Sequence, residues 1–456
     1  MKSARKLSTK VERLSLLFGL VLSLGLFAAR NVLAAEYHVA TTGSDSNPGT
    51  SASPFATLQK GASTAGAGDT VYIHGGTYKI TTPANSGAGI TISKSGTSDT
   101  NRIKFWAAQG ETPVFDFSNL SISGSGYTHG IVVTGSWLHF KGLEVANVPM
   151  NSSSNCGMHV DNCSNNIFEL MNFHNNKGTG VFVDHGTGGH KFINCDSHDN
   201  NDAANNGENA DGFGVHYQTS GASTTFNGCR AWYNSDDGWD FISQEVPVTV
   251  ENSWAMGSGK SSSGTVNGNG NGFKAGSSKS GIRHVIRNCV AWGCKAAGFY
   301  ANHSSGGNDW YNNTAYNNST QFNLLASTFA ECTNVYQCND SLRQDGVTLS
   351  GSKAHKMRNN IGFPNKNSYV DGYGVDTASN TWDLGITPAA GDFASVSDTG
   401  AIGPRQADGS LPNIDFMKLV AGSKMIDKGT DVQIPYTGSA PDLGAYEYGA
   451  TGSGGS

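Results

Sequence analysis

One five-residue pattern, repeated along the chain at intervals in the twenties and thirties, constrains the fold more than any other feature. Asp211-Gly-Phe-Gly-Val, Asp237-Gly-Trp-Asp-Phe and Asn271-Gly-Phe-Lys-Ala superimpose on their glycines as polar, glycine, aromatic, variable, apolar. The pattern recurs as Cys156-Gly-Met-His-Val, Thr179-Gly-Val-Phe-Val and Ala297-Gly-Phe-Tyr-Ala. One short strand per repeat of this length is what a parallel β-solenoid writes into sequence, because each coil buries its apolar face only by stacking on its neighbours.

Side chains alternate faces along a strand, so the aromatic residue and the apolar residue two places later point inward, and the variable residue between them points out. The outward column reads His159, Phe182, Gly214, Asp240, Lys274, Tyr300. Neighbouring coils lie about 4.8 Å apart, which makes Asp240 and Lys274 predicted neighbours. The column before the glycine reads Thr179, Asp211, Asp237, Asn271, Ala297, so Asp211 and Asp237 are neighbours too, with Asp236 beside them. A second ladder, Met171, Cys195, Cys229, Ser253, Cys289 and Thr314, advances in step with the first. Five places after its first three members come Asn176, Asn200 and Asn234, which predict a side-chain amide ladder at a turn.

A solenoid grows by adding coils, so 456 residues do not demand a second core. Residues 1–35 combine a basic start, an apolar run and small residues at the end, which reads as a secretory signal; the run is short for a membrane anchor. That segment holds six of the 30 Lys and Arg and one of the 36 Asp and Glu. The remainder therefore carries 24 basic against 35 acidic residues, a formal charge of −11. An acidic surface argues against nucleic acid as a partner, and nothing after the signal could span a bilayer. The chain is expected to be secreted and monomeric. Eight cysteines in an exported chain make disulfides possible, Cys332 with Cys338 being the favoured pair, while Cys195, Cys229 and Cys289 are expected as buried thiols.

Residues 36–330 read as the solenoid. Phe55, Leu58 and Ala62 stand at helical spacing and predict a short helix covering its open end. Insertions at 202–210 and 258–269 flank the acidic cluster, where loops would build a groove. Residues 331–448 read as an extension packed on the solenoid, with a short helix expected over 415–420, and residues 449–456 as a flexible Gly/Ser tail.

Four aspartates, Asp211, Asp236, Asp237 and Asp240, on two adjacent coils repel one another unless a counter-charge is present. Calcium suits them, since it takes oxygen ligands in irregular geometry. A lysine one coil from such a site has its ammonium form disfavoured by the cation, which turns Lys274 toward use as a base. A metal that neutralises a carboxylate beside a base suits removal of the proton α to that carboxylate. In a polyuronate this is the C5 proton, and loss of the 4-linked sugar completes a β-elimination. Arg230 is expected to face outward on the same coil, either as a contact for a substrate carboxylate or as a solvated charge.

Asn209-Ala-Asp-Gly-Phe, Cys229-Arg-Ala-Trp-Tyr-Asn-Ser-Asp-Asp-Gly-Trp-Asp, Glu251-Asn-Ser-Trp-Ala, Gly270-Asn-Gly-Phe-Lys, Asp408-Gly-Ser-Leu-Pro and Pro441-Asp-Leu-Gly-Ala-Tyr-Glu resemble polysaccharide lyase family nine, the pectate lyase L type. The resemblance covers most of the chain after the signal and implies an all-β, right-handed parallel β-helix. It implies calcium ligands at Asp211, Asp236, Asp237 and Asp240, a catalytic base at Lys274, and cleavage of polygalacturonate or a related acidic polysaccharide. The family pattern commonly has lysine where this chain has His216, and the resemblance leaves open whether that alters a substrate contact.

Two other readings remain at this stage. A hydrolase could use the Asp236-Asp237 pair as acid and base, although the chain has no Gly-His-Gly and Arg102-Ile-Lys lies far before the acidic cluster. A calcium-dependent glycan-binding protein would need the acids but not Lys274. Trp239 falls in the inward column, so core packing is expected for it rather than sugar stacking.

Overall fold

Each turn of the chain contributes one strand to each of three parallel sheets, which extend as stacks of twelve, nine and ten strands in a computed structural model of the protein. The structure describes residues 34–122, 126–150, 154–276, 281–329 and 340–450. Most of the expected signal, the 451–456 end of the tail and the Cys332–Cys338 pair lie outside the described residues. The six described cysteines are buried free thiols, including Cys195, Cys229 and Cys289. No described helix is long and apolar enough to cross a membrane.

The five-residue pattern forms the nine-stranded sheet. Phe213, Trp239 and Phe273 are in register, as are Gly214, Asp240 and Lys274. Glycine is required at the third place before the apolar residue by close approach: a Cβ at Gly212 would lie 2.7 Å from the Gly238 carbonyl oxygen, and one at Gly238 would lie 2.5 Å from that of Gly272. Inside, Phe213, Trp239, Phe273, Phe299 and Phe322 stack with centroids 4.6 to 5.1 Å apart. Phe105, Phe140, Phe168, Phe192 and Phe226 form a second stack against the twelve-stranded sheet. These rings are buried, and their burial is the main favourable term holding coil on coil.

Polar ladders secure the turns. Asn176 Nδ2 donates to Asn200 Oδ1 at 2.9 Å, and Asn200 Nδ2 donates to Asn234 Oδ1 at 2.9 Å, all three buried. Asn313, Asn360 and Asn380 repeat the arrangement near the other end. A buried amide bonded on both edges avoids the cost of an orphaned polar group and fixes the spacing of its turn.

The helix Leu58–Thr64 covers the open end as expected; the Thr57 side chain caps it by accepting from the Lys60 N–H, and Leu58, Gly61 and Ala62 are buried. The solenoid does not stop at residue 330. Lys356–Arg358 and Asp376–Ala378 continue the twelve-stranded sheet, and Ile361–Phe363 ends the ten-stranded one. The step from Asn313 to Asn360 is 47 residues. Earlier amide-ladder steps are 24 and 34, so the longer connection hides the repeat. Residues beyond this return along the ten-stranded sheet, where Phe393, Phe416, Met417, Leu419 and Leu443 bury Trp232, Trp254 and Trp292. The helix expected over 415–420 is absent: Phe416 and Leu419 pair by bridges with Ser395 and Phe393, and Met417 has a left-handed φ of 58°.

Replacing Asn200 with Ala removes the Oδ1 that accepts both the Asn176 N–H and its side-chain amide, leaving the N–H stranded and the amide with a 3.4 Å bond to the Val145 carbonyl. The variant is expected to lose about 2 to 3 kcal/mol of unfolding free energy in denaturant titration.

Candidate active site

Three carboxylates and one ammonium converge on the outer face of the nine-stranded sheet. Asp211, Asp237 and Asp240 each present an oxygen within 4.8 Å of the others, and all three are buried. Lys274 Nζ lies 3.0 Å from Asp237 Oδ2 and 3.1 Å from Asp240 Oδ2. Asp237 and Asp240 belong to one coil and Lys274 to the next, so the register alone brings these charges together.

The backbone takes up part of the cluster. Asp211 Oδ1 accepts the Asp237 N–H, and Asp237 Oδ1 accepts the N–H and side-chain amide of Asn271 at 2.6 and 2.8 Å. Asp236 is not in the close set; its Oδ1 accepts the Asn269 N–H at 2.7 Å. The two insertions meet over this corner, where Asn269 Nδ2 donates to Glu208 Oε2 and the Gly268 N–H to the Asn206 carbonyl.

Crowding shows in the acidities. Burial and then the charges of Asp236, Asp240 and Asp237 push the Asp211 carboxyl well above the usual range. Burial and then Asp237 push Asp236 up to about 8. Burial also raises Asp240, to about 6, against the pull of Lys274. Burial alone would lower the Lys274 ammonium, but the charges of Asp237, Asp240, Asp211 and Asp236 overcome it and raise Lys274 well above its ordinary value. Lys274 paired in this way is an ammonium and not a base.

The donor set fits a hard divalent cation. Asp240 Oδ1 is buried without a hydrogen-bond partner, and Asp237 Oδ2 has the Lys274 ammonium beside it but no aligned hydrogen bond. Carboxylate oxygens in an irregular, partly backbone-braced set are what calcium accepts.

His216 borders the cluster, with Nε2 3.8 Å from Asp240 Oδ2; burial, then Lys274, lower it to about 3, so it stands there neutral. Arg230 is elsewhere. It lies on the ten-stranded sheet with its side chain 3% exposed, held by Asp196 at 2.7 Å and by the carbonyls of Ala401 and Gly403. Arg405 grips the same carboxylate at 2.6 Å, and the two guanidiniums hold Asp196 below the usual range despite its burial. Arg230 does point away from the coil interior, where Ala231 packs instead, but it projects from a different sheet than the acids and the returning C-terminal segment covers it, so it is not within reach of a substrate at the acidic cluster. Trp239 is fully buried, as its column required.

Alternation could also have found a second outward column. Asp161, Asp184 and His216 are in register two places beyond the first, and His159, Asp161 and Asp184 bring ligand atoms within 4.8 Å of one another.

Residues 37–339 match the family described as "Pel9A-like, right handed beta helix region". The chain is 35% identical over 414 residues to pectate lyase L of Dickeya chrysanthemi, covering 90% of each. The structure superimposes on that of pectate lyase Pel9A with a TM-score of 0.74 at 34% identity, covering 91% of this chain and 96% of that one. A rhamnogalacturonan lyase structure superimposes with a TM-score of 0.75 at 29% identity, covering 85% of this chain and 97% of that one.

Arg230→Ala leaves Asp196 facing Arg405 alone in a buried setting. It is expected to lower stability by about 3 kcal/mol in denaturant titration while leaving KM unchanged. A raised acid pKa in the folded state takes stability away as pH rises from the unfolded value toward the folded one. For Asp240 and Asp236 that window runs upward from about 4 through about 6 and about 8. In chelator the melting temperature is therefore expected to fall by several degrees between about pH 5 and about pH 8.5. Asp236→Asn should flatten the upper part of that curve.

Proposed function

We propose, since the chain belongs to the Pel9A-like right-handed β-helix family and is a polysaccharide lyase of the pectate lyase kind, that it is an exported, calcium-dependent enzyme that cleaves polygalacturonate by β-elimination. The observation that carries the reading is the contact of Lys274 Nζ with Asp237 and Asp240, on an outer face that also holds Asp211. Asp211, Asp237 and Asp240 would hold the cation, with Asp236 as an outer partner. Calcium bound there would draw the Asp237 and Asp240 charges away from Lys274 and would neutralise the uronate carboxylate, which acidifies the C5 proton.

The chain's own residues supply the rest. Lys274, freed of its ion pairs, is a neutral amine anchored by a rigid strand and aimed at the outer face. It takes the C5 proton; the C5–H electron pair becomes the C4–C5 double bond, and the bond from C4 to the glycosidic oxygen breaks. The leaving oxygen is protonated from solvent. Burial of the acids, with the 202–210 and 258–269 insertions meeting over the corner, keeps water from competing for the ligand oxygens.

A second reading, a lyase acting on a polymer in which galacturonate is interrupted by other sugars, draws support from the likeness to the rhamnogalacturonan lyase. Both readings use one site and one reaction.

On polygalacturonate the protein should release products with the ultraviolet absorbance of an unsaturated uronate. Chelator should abolish this and added calcium restore it. Lys274→Ala should lower kcat about a thousandfold and still bind calcium in calorimetry. Products without that absorbance would contradict elimination, and retained turnover in Lys274→Ala would remove the lysine from its role.

A further inference from the structure

The coil after Lys274 carries a row of titratable groups that proton abstraction does not use. Tyr300 stands in the outward column, in register with Lys274 and one coil beyond it. Its oxygen is bonded to His303 Nε2 at 3.2 Å, and His303 Nδ1 is bonded to Asp345 Oδ1 at 2.9 Å. Asp345 is secured in turn by the Ser327 hydroxyl at 2.6 Å and by Arg343 Nε at 2.9 Å. The long connection after Asn313 supplies these anchors, since Ser327–Phe329 and Arg343–Asp345 pair antiparallel within it, Ser327 opposite Asp345. Asn302 and His303 take left-handed φ values of 43° and 59°, which turn the chain sharply after Ala297–Tyr300 and bring the imidazole back to the phenol. Two such residues in succession are costly without glycine, and the bonds to Tyr300 and Asp345 hold the second of them in place.

The bonds have a fixed direction. Burial opposes it, but the Ser327 and His303 bonds hold the Asp345 carboxyl below its ordinary value, so Asp345 is a carboxylate and only accepts. Burial, then Arg343, lower His303, which therefore stands neutral with its one hydrogen on Nδ1, toward Asp345. Nε2 is then bare, and the Tyr300 hydroxyl donates to it. Burial keeps Tyr300 a phenol, raised to about 12 against the pull of Lys274; Asp345, Arg343 and Asp237 are the other charges that reach it. With its hydrogen committed to His303, the Tyr300 oxygen accepts on its other side. Each hydrogen in the row thus points away from the catalytic lysine and toward Asp345. The two ends differ in access: the Lys274 side chain is 11% exposed and would lie beneath the bound polymer, whereas Asp345 is 41% exposed.

We propose that Tyr300, His303 and Asp345 form the exit for the proton that Lys274 takes from C5. This rests on the lyase reading above and adds the step that returns Lys274 to use. The Lys274 ammonium passes one N–H proton to the Tyr300 oxygen as the phenolic proton moves to His303 Nε2. Lys274 is then a neutral amine again, Tyr300 a phenol, and His303 an imidazolium balanced by Asp345. The imidazolium loses one proton to water, and the ring returns to the tautomer that faces Asp345. The leaving oxygen still takes its proton from solvent, because a phenol bonded in this way has no hydrogen to offer it. Tyr300 and His303 act through Lys274 and touch no bond that forms or breaks in the polymer.

Unsaturated product from the wild type tests the lyase reading by itself, and its absence would overturn that reading and the relay together. The relay is judged on variants measured beside it. Tyr300→Phe removes the oxygen and keeps the ring, and His303→Asn places there a residue that tolerates the left-handed φ. Each is expected to release its first equivalent of unsaturated product at the wild-type rate and then to turn over about tenfold more slowly, with KM within about twofold. Imidazole buffer should restore most of the lost rate in proportion to its concentration, which a merely bracing role would not allow. Nitrogen NMR of the substrate-free protein should show the His303 ring, assigned by its loss in His303→Asn, protonated at Nδ1 and bare at Nε2. Three results would each overturn the relay: an unchanged kcat in Tyr300→Phe, a loss already complete in the first turnover and unmoved by buffer, or a His303 ring protonated at Nε2 in place of Nδ1.

Discussion

Like charges forced together by backbone register are the constraint on which this structure turns. Parallel coils repeat at about 4.8 Å, and a column of side chains inherits that spacing whatever its charge. Asp237 and Asp240 on one coil, Asp211 on the coil before and Lys274 on the coil after are therefore neighbours by construction. Asp211, Asp240 and the adjoining Asp236 answer with raised pKa values and the lysine with a raised one of its own. Asp237 and Asp240 can pair with Lys274 or ligate a cation, and the same two carboxylates serve either partner. On the function proposed here, that competition is the switch between a stored ammonium and a working base.

Holding such a cluster requires a scaffold that does not relax around it. Stacked rings fill the interior behind the site, from Phe213 through Trp239 and Phe273 to Phe299. Amide ladders pin the turn just before the acidic strands, with Asn234 immediately ahead of Ser235 and Asp236. On the opposite side of the coil, Arg230 and Arg405 clamp Asp196 and draw residues 401–409 onto the ten-stranded sheet. A strand fixed at its core, its turn and its far side keeps its outward side chains in place, which is what preorganised catalysis needs.

Much of this was legible in the sequence because a solenoid reduces three-dimensional adjacency to alignment of repeats. The pairing of Asp240 with Lys274, the inward Trp239 and the ladder Asn176, Asn200, Asn234 all follow from glycine spacing and alternation. Legibility failed where adjacency stopped being local. Arg230 looked exposed because nothing in its own coil says that residues 401–403 will lie over it. The coils after residue 330 were hidden by one long connection. Asp236 shows a subtler limit: the next residue, Asp237, joins the close set, but the Asp236 oxygen is taken by the Asn269 N–H of a distant insertion. The row of Asp161, Asp184 and His216 could have been read by following the second outward column as well as the first.

The claim at the centre is that Lys274 and the cation compete for Asp237 and Asp240, and calcium affinity measured by calorimetry near neutral pH tests it without reference to turnover. Lys274→Met keeps the length of the side chain and removes its charge. The account predicts that this variant binds calcium about tenfold more tightly than the wild type and releases fewer protons on binding. Equal or weaker binding by Lys274→Met would mean that the lysine and the cation do not share those carboxylates, and the account would be wrong.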